Sequence, residues 1–155
     1  MPVIVHRPLP DGFKLKTCTI VGKADGWYCC ISMEDKTVPE LLPLDEVKSP
    51  VGVDVGLKEF LTTSTGETVA RQQAYRKTQR HLARQQRKLA RKQKGSKNAE
   101  KQKNRIARVH QRVGRIRQDF HYNTAHQLVK NHDFIAVEDL NGQGLARTRL
   151  SKSVL

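Results

Sequence analysis

The chain has 155 residues, room for one domain or one and a half, and 37% of them are hydrophobic, which allows a sheet core but not a large one. Lys and Arg number 29 against 15 Asp and Glu, a formal net charge of +14, so a polyanionic partner is expected, with nucleic acid the default. A membrane surface is the less expected partner: no apolar run nears spanning length, no basic helix carries a broad apolar face, and Met1-Pro2-Val3-Ile4-Val5-His6-Arg7 has no signal-peptide pattern, which makes the expected location cytoplasmic.

Residues 6–33 read as a β-hairpin. Leu15, Thr17, Thr19 and Val21 alternate with Lys16, Cys18 and Ile20, the partner run is Trp27-Tyr28-Cys29-Cys30-Ile31-Ser32-Met33, and Asp25-Gly26 marks the turn between them. An isolated hairpin is marginal in water, so this one is expected to dock on something. Cys18, Cys29 and Cys30 are odd in number and two are adjacent, which argues against a disulfide framework, and with no Cys-x-x-Cys the chain encodes no zinc ribbon. Residues 34–50 hold Pro39, Pro43 and Pro50 among several acids and read as a connector.

Two short apolar runs then lead into acid. Val51-Gly52-Val53-Asp54-Val55-Gly56-Leu57-Lys58 is one, and Phe134-Ile135-Ala136-Val137-Glu138-Asp139-Leu140 is the other. Both are too uniformly apolar for amphipathic surface strands. They are expected to be neighbouring parallel strands, covered on both faces and joined by a helical crossover. A buried Asp54 would need a partner or a metal. As neighbours, Asp54 and Glu138 would emerge at one edge of the sheet and form a hard oxygen site suited to Mg²⁺. Asp139 is the weaker alternative, because alternation sends it to the opposite face. After Asp54, Glu59–Ser64 and Glu67–Ala70 read as two further strands around a Thr65-Gly66 turn, an antiparallel meander. The six histidines form no recognisable metal cluster, and Asn141 is a weak candidate for orienting the loop after Glu138.

Between the acidic strands, residues 71–131 change character. Tyr75, Leu82 and Leu89 are spaced by seven, Gly95-Ser96-Lys97-Asn98 breaks the pattern, and Ile106, Val109, Val113, Ile116 and Phe120 alternate steps of three and four. Narrow seams of this kind, separated by a short break, predict an antiparallel helical hairpin, with Gly114 weakening the second arm modestly. Its outer faces carry Arg76, Lys77, Arg80, Arg84, Arg87, Lys88, Arg91, Lys92, Lys94, Lys97, Arg105, Arg108, Arg112 and Arg115, with Glu100 the only acid before Asp119. Solvated helices alternate charge sign, so an unbalanced basic hairpin reads as a cradle for a nucleic-acid backbone, contacting phosphates rather than bases.

Gly52-Val53-Asp54-Val55-Gly56-Leu57-Lys58-Glu59-Phe60 resembles the first catalytic block of TnpB/OrfB-type insertion-sequence transposases, which are RNA-guided RuvC-like nucleases related to type V CRISPR effectors. Phe134-Ile135-Ala136-Val137-Glu138-Asp139-Leu140-Asn141 resembles their second block, Lys92–Asn98 the break in their inserted helical hairpin, and Arg149-Leu150-Ser151-Lys152-Ser153 the segment after the second block. Arg7–Gly12 and Lys23–Tyr28 resemble the end of their N-terminal β-barrel wedge. The resemblance implies an α/β fold: a RuvC/RNase H-like mixed sheet core interrupted by a long basic antiparallel helical hairpin, about 71–131, and preceded by a β-hairpin from the wedge. Residues 1–50 would be wedge segment and linker, and 51–155 part of the nuclease domain. It also implies Asp54 and Glu138 as catalytic Mg²⁺ ligands, and DNA and a guide RNA as partners, with no small-molecule substrate. The family pattern continues with a four-cysteine Zn²⁺ ribbon and a third acidic block. Neither is in this sequence, so the chain is expected to be a truncated form with little cleavage of its own, or else a non-catalytic RNA- or DNA-binding module or an inactive remnant.

Overall fold

A computed structural model describes residues 4–5, 8–37, 41, 43–56 and 58–140. Leu57, Arg7, Asn141 and the segment Arg149–Ser153 lie outside the described residues. The architecture is mixed α/β: two sheets and two α-helices among the described residues. The chain divides into two compact units, Met1–Leu41 with Gln79–Arg112, and Leu42–Thr78 with Val113–Leu155.

The first unit holds a two-stranded sheet and the ends of two helices. Strands β1 (Lys14–Lys23) and β2 (Gly26–Glu34) pair antiparallel, with Lys23 opposite Gly26 closing a two-residue Ala24-Asp25 turn. A bulge between Leu15 and Cys18 interrupts the ladder. There the Thr17 amide donates to Ser32 Oγ at 3.0 Å, so the donor freed by the bulge keeps a partner. The expected docking is polar and made at the tip. Arg108 Nε donates to the Ala24 carbonyl at 3.2 Å, and Gln111 Nε2 to Asp25 Oδ1 at 2.6 Å. Tyr28 OH holds the other Asp25 oxygen at 2.9 Å. The hairpin leaves Ile20 and Trp27 largely in solvent.

Helices α1 (Ala74–Ala90) and α2 (Lys97–Asn131) lie within the expected hairpin. Gly95, at φ +80°, takes the left-handed conformation that lets the chain leave the break. Ser96 then caps α2, its Oγ accepting from the Ala99 amide at 3.2 Å. In the first unit Leu82 and Ala99 are buried, but the most enclosed side chain is polar: Gln102, 2% exposed, donates from Nε2 to the Gln85 carbonyl at 3.1 Å and to Gln85 Oε1 at 2.8 Å. The expected seam is partly realised. Leu82 and Val113 are buried, while Tyr75 and Ile116 are exposed.

The second unit is built on a four-stranded sheet of order β5-β4-β3-β6. Strands β3 (Pro50–Asp54), β4 (Leu61–Thr63) and β5 (Thr68–Val69) form the antiparallel meander, and β6 (Phe134–Val137) returns parallel to β3. The second strand starts at Leu61 rather than Glu59. Phe60 still donates its amide to the Val69 carbonyl at 2.9 Å, while its ring packs edge-on against Phe120 at 4.8 Å and stacks on His121 at 5.3 Å. Val51, Val53 and Leu61 are the buried core, with Phe60, Val69, Leu128 and Ile135 against it. Burial on both faces was expected and is not found among the described residues. In β3 only Val51 and Val53 are buried, and in β6 Phe134, Ala136 and Val137 are exposed. The reason is position: β6 is the outer strand of this order, with β3 its sole neighbour among the described strands.

Candidate nuclease site and nucleic-acid interface

Asp54 is the last residue of β3, and Glu138 follows directly after β6. The parallel register pairs Pro50 with Phe134, Val51 with Ile135, Gly52 with Ala136 and Val53 with Val137. The paired register ends at Val53 and Val137. Asp54 and Glu138 each follow that last pair by one residue, on neighbouring strands of the kind that lie roughly 4.8 Å apart in any sheet. Both acids are exposed. The premise that Asp54 carries a burial cost therefore fails, because the strand ends at Asp54 and delivers its carboxylate to solvent. Asp139 is also exposed, one step beyond Glu138.

The chemistry of this donor set suits a hard cation. Carboxylate oxygens match Mg²⁺, which is commonly bound through one or two carboxylates while keeping waters and substrate phosphates as its other ligands. No group of three or more His, Cys, Asp or Glu suited to a metal occurs among the described residues, here or elsewhere. His81 and His110 are exposed, and His121 is occupied in stacking on Phe60.

One cluster near the strands was missed by sequence reasoning. Asp133 accepts from the Lys48 amide at 2.8 Å and the Ser49 amide at 2.9 Å, while Ser49 Oγ donates to the Asn131 carbonyl at 3.1 Å and lies 3.2 Å from His132 Nδ1. The Lys48 amide above all holds the Asp133 carboxyl below the usual carboxylate range; burial opposes it, and the Ser49 amide adds a smaller lowering of its own. A signal existed in the sequence: Ser49 precedes Asp54 by the same five residues by which Asp133 precedes Glu138.

Eleven of the fourteen basic residues lie on α1 or α2, and Arg91, Lys92 and Lys94 fall in the break between them. All fourteen proposed cations, from Arg76 to Arg115, are exposed. Gln79, Arg80, Ala83, Arg84 and Arg87 line a shallow hollow on α1, and Lys101, Asn104, Arg105 and Arg108 line another on α2. Each hollow carries cations at steps of four and three, which aligns them on one helix face over roughly 10 Å. Arg108 has a second task, since its Nε also holds the hairpin turn. No helix among the described residues is long and apolar enough to cross a membrane.

The two parallel strands of the sheet each lead into a carboxylate, and the basic helices α1 and α2 come between them in the chain. Residues 28–149 match the OrfB family model, described as "Probable transposase". The chain belongs to the TnpB/OrfB-type transposase family. It is also 32% identical over 150 residues to a protein of Streptomyces pristinaespiralis described as "Putative RNA-guided DNA endonuclease"; the match covers 96% of this chain and 36% of that protein. The chain thus spans about a third of the length of the curated relative it matches.

Proposed function

We propose that this chain is the nucleic-acid-holding part, bearing two of the catalytic carboxylates, of an RNA-guided, Mg²⁺-dependent DNA endonuclease of a transposable element. The observation that supports the reading is the parallel register of β3 and β6, which runs to Val53 and Val137, the residues just before Asp54 and Glu138, although 71–131 intervenes. The three-stranded meander with a fourth strand parallel to its first supports a RuvC/RNase H-like core within 51–155. The β1–β2 hairpin within 1–50 is read as the end of a wedge barrel.

Asp54 and Glu138 hold the cation, each contributing carboxylate oxygen from a strand end. A bound Mg²⁺ supplies Lewis-acid activation of the attacking water and of the leaving oxygen of the phosphodiester. The exposed cations of α1 and α2 grip phosphates of DNA or RNA and supply affinity without sequence information, which base pairing to the guide supplies instead.

Calorimetric titration of the 155-residue chain with Mn²⁺, as a stand-in for Mg²⁺, tests the reading. A saturable site abolished in Asp54→Ala and in Glu138→Ala is the expected result. If neither variant alters Mn²⁺ binding while RNA and DNA binding stay intact, the chain is a non-catalytic binding module.

A further inference from the structure

Parallel neighbours have no hairpin turn to fix their alignment, and a slip of one residue moves every side chain to the other face. For β3 and β6 such a slip would place Asp54 level with Val137 or Asp139 instead of Glu138. Something must select the observed alignment, and the buried contacts available for it are few: Val51, Val53 and Ile135 lie against the core, whereas Val137 is 69% exposed.

The selection is made at the entry to the two strands. Asp133 stands immediately before β6, and Lys48 and Ser49 stand just before β3. Each oxygen of the Asp133 carboxylate takes one of the two successive amides, Oδ2 that of Lys48 and Oδ1 that of Ser49. Such charge-assisted, two-point bonds fix geometry better than a single contact. Ser49 adds a hydroxyl bond to the Asn131 carbonyl. Ser49 and Asp133 are separated by 84 positions. The ladder that follows, Pro50 with Phe134 through Val53 with Val137, keeps that same offset, and it is the offset of Asp54 from Glu138.

The geometry points to Asp133 as a positioning residue that sets the β3–β6 register and so keeps Asp54 and Glu138 side by side. Its consequence for cation binding rests on the reading of that pair given above; its role in register does not. A chain slipped by one residue cannot keep both Asp133 oxygens on these amides, so the clamp opposes the alignments that would part the acids.

The test is NMR of the full 155-residue chain together with Mn²⁺ titration. In the parent chain, cross-strand NOEs join Val51 to Ile135 and Val53 to Val137. Asp133→Ala is expected to lose them while keeping the Val53–Thr63 NOEs of the antiparallel pair, and to weaken Mn²⁺ binding by about tenfold or more, the usual loss when a supporting residue of a metal site is removed. Ser49→Ala keeps its amide and is expected to keep the β3–β6 NOEs. If Asp133→Ala does not fold, Asp133→Asn decides: with one acceptor oxygen left, it should fold and weaken both the NOEs and Mn²⁺ binding. Unchanged β3–β6 NOEs in Asp133→Ala, or in Asp133→Asn where that variant decides, overturn the proposal whatever happens to Mn²⁺. Loss of the NOEs in a chain whose parent takes up no Mn²⁺ upholds the register role and refutes the cation site instead.

Discussion

At Gln102 and Asp133 the chain uses polar side chains in structural work that hydrophobic patterning cannot reveal. Gln102 sits at a position where a seam residue would be apolar, and its amide is retained because Gln85 offers two acceptors. Nothing in a periodicity of three and four marks such a residue. Asp54 and Glu138 stand out as candidates because acids at the ends of apolar runs are conspicuous, whereas Asp133, lying before its run, reads as an ordinary turn residue. Its lowered pKa has a consequence for stability. The folded chain holds Asp133 ionised at lower pH than the unfolded chain does, so its contribution is fully present above the unfolded carboxylate value, about 3.9. That contribution is lost as pH falls through the folded value. Urea denaturation of the parent chain and Asp133→Asn should therefore differ most near neutrality, and the difference should shrink progressively below about pH 4. A difference that grows on acidification would contradict the assignment.

The elements were legible to different degrees. The two helices and the break between them were legible, because heptad spacing and a Gly-containing break are strong local signals, although α1 stops at Ala90 rather than running on to Lys94. Strand identity was read, but strand burial was not. A glycine between two valines and an alanine in β6 made both runs look wholly apolar, yet alternation puts only Val51 and Val53 of β3 into the core. Phe60 was read as strand, and it keeps a backbone bond to Val69, but the strand proper begins one residue later at Leu61. Two glycines in the hairpin make opposite predictions. A Cβ on Gly114, inside α2, would meet nothing within 4 Å, so Gly114→Ala should stabilise the chain by about 0.5–1 kcal/mol. Gly95 holds φ +80°, so Gly95→Ala should destabilise by about 1 kcal/mol despite equally open surroundings. Thermal denaturation of the two variants checks both signs.

For the whole molecule, the proposed partner rests on charge and the proposed site on topology. A net charge of +14 was readable from composition, and its concentration on two helices was readable from spacing. If the row formed by Arg80, Arg84 and Arg87 grips phosphates, replacing all three with Gln should lower the slope of log affinity against log salt for single-stranded RNA by about 2. An unchanged slope would remove that row from the interface. The meeting of two acids from distant parts of the chain depends on a parallel register, which no local pattern fixes. Sequence could say that the two strands belong together, but not by which residue they are aligned. Paramagnetic broadening by Mn²⁺ tests that meeting most directly. In ¹H–¹⁵N spectra of the chain with substoichiometric Mn²⁺, the amides of Val53, Asp54, Val137 and Glu138 should broaden together and first, and Asp54→Asn should abolish the effect on both strands. Broadening confined to one strand, or centred elsewhere on the chain, would contradict a cation shared between Asp54 and Glu138.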